Sequence, residues 1–401
     1  MRKIAYDNKK QNLPIKMWLD DIEEKTMEQA INLSKLPFAF KHIAIMPDAH
    51  MGFGMPIGGV LATERVIIPN AVGSDIGCGM CAVPTPWTTK DINTEIIKKT
   101  IGKIREEIPV GIGKTGSHKI DNSNNGRLMP QVRRKEDLSK IVLREFNSAC
   151  KQIGTLGGGN HFIEIQKTTN DYIWIMIHSG SRNLGYKVAK YYNELAIELN
   201  GKWFAYVPKE WDLAFLPFDS AEGIEYLREM QYCVDFALAN RELMLNKIAE
   251  IFNKTIGWKK IDLKETINIA HNYASMENHF GNNVMVHRKG ATLAREKTIG
   301  IIPGSQGSCS YIVKGKGNRE SFMSCSHGAG RNMSRNQAKK DLVLKDEIKK
   351  MDDLGIIHGI RNQSDLDEAT GAYKDIGIVM DNQKDLVEIL VELKPMAVIK
   401  G

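Results

Sequence analysis

Asp75-Ile-Gly-Cys78-Gly sets a carboxylate and a thiol three residues apart in a glycine-rich turn that follows an apolar, strand-like run. Such a turn presents two metal-binding side chains from a rigid edge. Histidines recur in the same setting far along the chain: His161 after Gly157-Gly-Gly159-Asn160, His178 after the apolar run 172–177, His271 after Ile267-Asn-Ile-Ala270, and His327 inside Cys325-Ser-His-Gly-Ala-Gly-Arg331. Read together, they outline one polar site built from strand ends. A thiolate, a carboxylate and neutral imidazoles suit divalent transition metals, and a bridging Cys78 could hold two ions, one with Asp75 and another with a separate set of histidines. Two such ions can clamp both the attacking and the leaving oxygens of a phosphoryl transfer.

Two segments share a further form, His178-Ser-Gly-Ser-Arg182 and His327-Gly-Ala-Gly-Arg331. Small residues between histidine and arginine let backbone N–H groups approach an anion, and a guanidinium can clamp phosphate through two hydrogen bonds. Both read as phosphate-binding turns, with Ala329 and Gly330 at the point of approach; the alternative is a tight turn whose arginine pairs with a carboxylate. Pro303-Gly304-Ser305-Gln-Gly-Ser308 adds hydroxyls and amides suited to a nucleotide. His50, in Pro47-Asp-Ala-His-Met-Gly52, suits phosphate or substrate contact, with Asp48 placed to orient it. His42, His118, His279, His287 and His358 lack the strand-to-glycine setting and read as structural.

The positioning elements follow from periodicity. Ile43–Met46, Val60–Ala62, Val66–Ile68, Val284–Val286, Ile299–Ile302 and Ser310–Val313 are short apolar runs between glycine, proline and charged turns, which predicts strands. Ile92, Ile96, Ile97, Ile101 and Ile104 have a helical period that Pro109 stops, and 222–256 carries a long helical face that reads as scaffold. Strands and helices are mixed rather than alternating, so the fold class is α+β, with mixed β-sheets flanked by helices and the active site at strand ends and loops. The site residues spread from 75 to 327 without a linker, which predicts a single domain over 1–401; the polar segment 111–137 reads as a surface loop, with Arg133-Arg-Lys135 as a phosphate-contacting patch.

The 401 residues are 42% apolar and 26% charged, as in an ordinary globular protein. A net charge of +7 favours polyanionic partners. Six cysteines in so long a chain, with no apolar leader after Met1-Arg-Lys, point to a reducing cytoplasm, and no run is long enough to cross a bilayer. Gly111-Ile-Gly-Lys-Thr-Gly116 fits two nucleotide motifs superficially, but Ile108 stands where a P-loop needs glycine, and the segment follows a helix where a dinucleotide fingerprint follows a strand. Cys78 and Cys81 form a lone C-x-x-C without the second pair a zinc ribbon needs. No Asp-Gly dipeptide occurs, which excludes the lysine nucleophile motif of lysine-nucleotidylating ligases.

With these residues assembled, the chain resembles the RtcB family of RNA ligases. The resemblance runs from Lys41-His-Ile-Ala-Ile-Met-Pro-Asp-Ala-His50 through Val72-Gly-Ser-Asp-Ile-Gly-Cys-Gly79, Leu156-Gly-Gly-Gly-Asn-His-Phe-Ile-Glu164 and His178–Arg182, to Ile302-Pro-Gly-Ser305, Cys325–Arg331 and Val398-Ile-Lys-Gly401. It implies an enzyme dependent on GTP and two manganese ions that joins an RNA 3′-phosphate, or 2′,3′-cyclic phosphate, to a 5′-hydroxyl in tRNA splicing or RNA repair. By the family pattern His327 becomes guanylated and Cys78 bridges the ions, with His161 and His178 completing one site and Asp75 and His271 the other. Asn160, Phe162, Glu164, Pro303, Gly304, Ser305, Ser310, Ala329, Gly330, Tyr373 and Lys400 would bind the nucleotide; Arg182, Arg331 and His50 would contact phosphate or substrate. Donor softness alone favours zinc, so manganese is an implication of the resemblance. Gln306 and the turn Phe53-Gly-Met-Pro56 depart from what many relatives carry, which bears on substrate preference. The expected protein is a monomer that uses an archease-type activator and no membrane. Rival readings are GMP capping of 3′-phosphate ends, repair of one damaged RNA, and a metal-containing RNA-binding protein without turnover.

Overall fold

The alternating apolar runs pair into two large sheets. A computed structural model of the protein describes residues 1–111, 113, 139–205 and 207–401. Arg133-Arg-Lys135, and all of the polar segment except Gly111 and Gly113, lie outside the described residues. One sheet has six strands, β1 (Lys3–Ala5), β2 (Ile15–Met17), β3 (Ala39–His50), β4 (Ile57–Thr63), β11 (Asn272–His279) and β12 (Asn282–Lys289), in the order β1-β2-β3-β4-β12-β11. It is mixed, because β2 pairs with β3 in parallel. The other has seven, β6 (Gly79–Thr88), β7 (Phe162–Thr168), β8 (Tyr172–Ser179), β10 (Ile267–Ala270), β14 (Ile299–Ile302), β15 (Ser310–Gly315) and β17 (Val387–Lys400), in the order β10-β6-β8-β7-β17-β15-β14. Its ladders are antiparallel throughout. Two short pairs complete the β structure, β5 (Val66–Ile67) with β9 (Leu216–Pro217) and β13 (Ala291–Leu293) with β16 (Ser324–Ser326).

Nine α-helices among the described residues flank the sheets: α1 (Glu24–Ser34), α2 (Pro69–Val72), α3 (Thr94–Glu107), α4 (Lys140–Gln152), α5 (Arg182–Lys202), α6 (Ala221–Ile256), α7 (Arg335–Asp341), α8 (Leu344–Asp353) and α9 (Ile376–Asp381). The result is the expected α+β domain. None of the described helices is long and apolar enough to cross a membrane.

The period of two in the seven-stranded sheet separates core from site. Cys81, Val83, Ile163, Ile165, Ile173, Ile175 and Ile177 face α3 and the second half of α6 and form one buried cluster. The alternate residues Met80, Phe162, Met176 and Val398 face the other way, and Glu164, His178 and Lys400 share their parity. Cys81 therefore packs into the core, opposite Ile177, and is not a unit with Cys78.

Antiparallel pairing also brings distant sequence to one end of this sheet. Cys78 precedes β6, His161 precedes β7, His178 lies at the end of β8, and His271 follows β10. The end of β17 pairs Lys400 with Phe162, and the loop 303–309 enters β15 at the same end. Gly79 is required here, because a Cβ would overlap the Ile269 carbonyl of β10.

Candidate active site

The turn before β6 is fixed by its neighbours. The Cys78 N–H donates to the Asp75 carbonyl at 3.1 Å, Gly77 N–H to the Asn272 carbonyl at 2.8 Å, and His271 N–H to the Cys78 carbonyl at 2.8 Å. Asn272 adds a side-chain bond to the Asp75 carbonyl at 3.1 Å and accepts from Gly290 N–H at 2.7 Å. From behind, the middle of α6 inserts two fully buried polar residues. Asn240 accepts from Gly154 N–H at 2.7 Å and donates to the Gly180 carbonyl at 3.2 Å. Arg241 donates to the carbonyls of Gly77 at 3.0 Å and Ser179 at 2.8 Å and to Asn268 at 2.8 Å. The helix that reads as scaffold thus ties together the loops that carry Cys78, His178 and His271.

Five of the expected donors converge. Two groups have their donor atoms within 4.8 Å of one another: Cys78, His178 and His271, and Asp75, Cys78 and His161. Cys78 is common to both, and its sulfur lies 3.3 Å from His178 Nε2 and 3.5 Å from His161 Nε2. The expectation set His161 with His178 and Asp75 with His271; the donor atoms group otherwise. His178 Nε2 faces His271 Nε2 at 3.4 Å, while His161 Nε2 faces the Asp75 carboxylate at 3.1 Å.

The tautomers follow from the far sides of the rings. His161 Nδ1–H donates to the Leu156 carbonyl and His178 Nδ1–H to the Asn160 carbonyl, each at 3.0 Å. Both Nε2 lone pairs then point into the cluster, and that of His161 points at a carboxylate. Facing lone pairs and anionic oxygen repel unless a cation lies between them, so these residues fit two divalent ions that share Cys78. Burial pushes the His178 and His271 pKa values well down, which keeps both rings neutral. Burial pushes the Cys78 thiol up, so binding of a metal must displace its proton.

His327 leaves β16 beside this cluster, its ring centroid 4.7 Å from that of His271. Its Nδ1–H donates to Asp48 Oδ2 at 2.6 Å, and the same oxygen accepts the backbone N–H groups of His327 at 3.0 Å and Gly328 at 3.3 Å. Asp48, in β3, is fully buried. Nε2 of His327 is the ring nitrogen that does not face Asp48. Asp48 therefore orients His327 with its carboxylate, while its carbonyl binds His50 Nδ1 at 2.9 Å. Burial lowers the His50 pKa to about 4, so that ring is neutral.

A cavity of about 530 Å³ opens over His327. It is lined by His50, Asn160, Phe162, Glu164, His178 and Lys400, and by Pro303, Gly304, Ser305, Ala329, Gly330 and Tyr373. Two expected nucleotide or phosphate contacts lie elsewhere. Ser310 is buried behind the wall, where its hydroxyl accepts from Gly304 N–H at 3.2 Å and from Gln166 at 3.1 Å. Arg182 is not among the lining residues; it packs over Gly157 with Nη1 3.3 Å from His161 Nδ1 and Nε 3.2 Å from Thr155.

Arg331 does line the cavity, but its guanidinium is taken up by the protein. Nη1 donates to Glu368 at 2.6 Å, Nη2 to the Asp367 carbonyl at 2.6 Å and Nε to the Met333 carbonyl at 2.9 Å. The carboxylate-paired turn is the reading that holds here. Glu368 also binds Arg335 at 2.7 Å and accepts from the Tyr373 hydroxyl. Burial raises its pKa, but Lys400, Arg331 and Arg335 outweigh that and hold the carboxyl below its usual range. Glu164, bonded to Gln166 at 2.6 Å, is pushed up to about 8 by burial; Lys400, bonded to the Gly159 and His161 carbonyls, is lowered to about 8 by the same cause.

The family model described as tRNA-splicing ligase RtcB matches residues 29–401. The chain is 39% identical over 409 residues to the RNA-splicing ligase RtcB of Escherichia coli (strain K12), with 98% of each chain covered. The chain belongs to the RtcB family. The tRNA-splicing ligase RtcB of Nanoarchaeum equitans is 33% identical, and that of Thermococcus kodakarensis 30%, each alignment covering 98% of this chain and 96% of the relative.

The residues that the sequence reading missed in this RtcB site are Asp48 as partner of His327, Glu368 with Arg335, Asn272, and the pair Asn240–Arg241. Two polar residues in the apolar face of a long helix were the available signal for the last pair. Four of the five histidines expected to be structural lie among the described residues. His42 binds the Glu320 carbonyl at 2.7 Å, His279 binds Glu277 at 3.0 Å, His287 accepts from Ile68 N–H at 3.0 Å and His358 binds Asp352 at 3.2 Å. His118 lies outside the described residues.

Proposed function

We propose that this cavity transfers GMP from GTP to Nε2 of His327 and then to an RNA 3′-phosphate. As an RtcB-type enzyme the chain is an RNA ligase that joins 3′-phosphate or 2′,3′-cyclic phosphate ends to 5′-hydroxyl ends. The carrying observation for its nucleophile is the bond from His327 Nδ1–H to buried Asp48, beside donors for two ions.

His327 Nε2 attacks the α-phosphorus of GTP, an N–P bond forms, and the bond to pyrophosphate breaks. The ring keeps its Nδ1–H and gains positive charge, which the Asp48 carboxylate offsets. An oxygen of the RNA 3′-phosphate next attacks the same phosphorus and the N–P bond breaks, which restores neutral His327. The 5′-hydroxyl oxygen then attacks the activated 3′-phosphorus, loses its proton, and GMP leaves. Water opens a 2′,3′-cyclic phosphate before these steps. Two manganese ions, held by Asp75, Cys78 and His161 and by Cys78, His178 and His271, would supply charge neutralisation at phosphate oxygens. Glu164, Phe162, Asn160, Tyr373 and Lys400 would hold the guanine nucleotide. The reading includes a cytoplasmic monomer and an archease-type activator.

The test is incubation of RNA bearing 2′,3′-cyclic phosphate and 5′-hydroxyl ends with the protein, GTP and manganese. Sealed product is expected. A guanylated 3′ end without sealing would make the enzyme a capping relative, and neither product would sink the reading.

A further inference from the structure

We propose that Phe53, backed by Met51, is a shelf on which the RNA base nearest the join stacks while its end group lies at His327. The inference rests on the RNA-joining reading above and adds to it a place for the base. Phe53 is 78% exposed and Met51 50% exposed, and both line the rim of the cavity that holds His327. Their backbone is held on both sides. The Gln29 amide donates to the Gly52 carbonyl at 2.6 Å and accepts from Gly52 N–H at 3.1 Å. The buried Lys289 ammonium binds the carbonyls of Phe53 and Asn70, and Met55 N–H donates to the Phe53 carbonyl at 2.8 Å. A large apolar ring left in water on so fixed a turn gains nothing from the core, but it is pre-organised to meet a flat partner, and every base offers a π-face.

Charge selects the base over the backbone. A second cavity of about 240 Å³ shares Met51 and Phe53 with the first and is lined by Lys25 and, outnumbering it, by the acidic residues Glu28, Glu210 and Asp212. Those groups repel phosphate and accept N–H donors from a base edge. The residues that would hold the guanine of GTP, Glu164, Phe162 and Lys400, stand on the seven-stranded sheet, whereas Phe53 comes from the turn between β3 and β4.

Two RNA oligonucleotides test this in the absence of GTP, one with 2-aminopurine as the 5′-hydroxyl nucleotide and one with it as the 3′-phosphate nucleotide. The wild type and Phe53→Trp are expected to quench one probe on binding, and the quenched probe names the end. Phe53→Ala and Phe53→Leu are expected to abolish the quench and to weaken binding roughly ten-fold, with no change for an abasic nucleotide at that end. Affinity within roughly two-fold of wild type for both probes, or an equal loss with the abasic RNA, would overturn the shelf. Because no GTP is used, failure of His327 to become guanylated leaves this outcome separate.

Discussion

His178 and His327 face one cavity, and each is followed by three small residues and an arginine, yet their Nδ1 atoms are bonded to different groups. His178 Nδ1–H donates to the Asn160 carbonyl at 3.0 Å; His327 Nδ1–H donates to the Asp48 carboxylate at 2.6 Å. A carbonyl fixes a neutral ring with its Nε2 lone pair outward, as a metal donor requires. A buried carboxylate does that and also offsets the positive charge a ring acquires when Nε2 bonds to phosphorus. The arginines differ as well: Arg182 packs beside His161, whereas Arg331 is locked to Glu368. The partner behind each ring, rather than the motif, is what sets the two histidines apart.

The largest effect is expected at the shared sulfur. Cys78→Ala should lose metal from both clusters and His178→Ala from one, while His327→Ala keeps its full content, all read by elemental analysis after dialysis against manganese. Full metal content in Cys78→Ala would remove the bridge. Asp48→Asn should slow protein–GMP formation roughly a thousand-fold with metal content unchanged; a loss smaller than roughly ten-fold would make the carboxylate a mere spacer and erase the difference between the rings.

A smaller effect is expected behind Arg331. Glu368→Gln leaves two guanidinium groups without their carboxylate and should cost about 3 kcal/mol of stability, measured from denaturation midpoints. The pH dependence has a definite sign. The folded Glu368 pKa is depressed, so its contribution is present above the unfolded value of about 4.3 and is lost as pH falls through the folded value. Wild type should lose stability across that acid range more steeply than Glu368→Gln; parallel curves would show that the pair contributes nothing.

The donor set was legible because Asp75, Cys78, His161, His178 and His271 each sit where an apolar run meets glycine or ends, and antiparallel pairing takes such points to one end of a sheet. The long helix was legible from its period, from 222 to 256 against the observed Ala221–Ile256. Which imidazole faces which was not, because sequence order carries no information on the direction of Nε2. Asp48 pairs with a residue 279 positions away, and Glu368 lies 37 positions beyond Arg331, so nothing local marks either bond. Asn240 and Arg241 stood out as polar residues within an apolar helical face, but nothing local shows which loops they bind.

The most direct test is to incubate the protein with labelled GTP and manganese and to map the modified residue by mass spectrometry under conditions that preserve N–P bonds. An acid-labile GMP on His327, absent in His327→Ala and present in the metal-replete wild type, is the predicted result. An adduct that persists in His327→Ala, or one found on another residue, would contradict the assignment of the nucleophile.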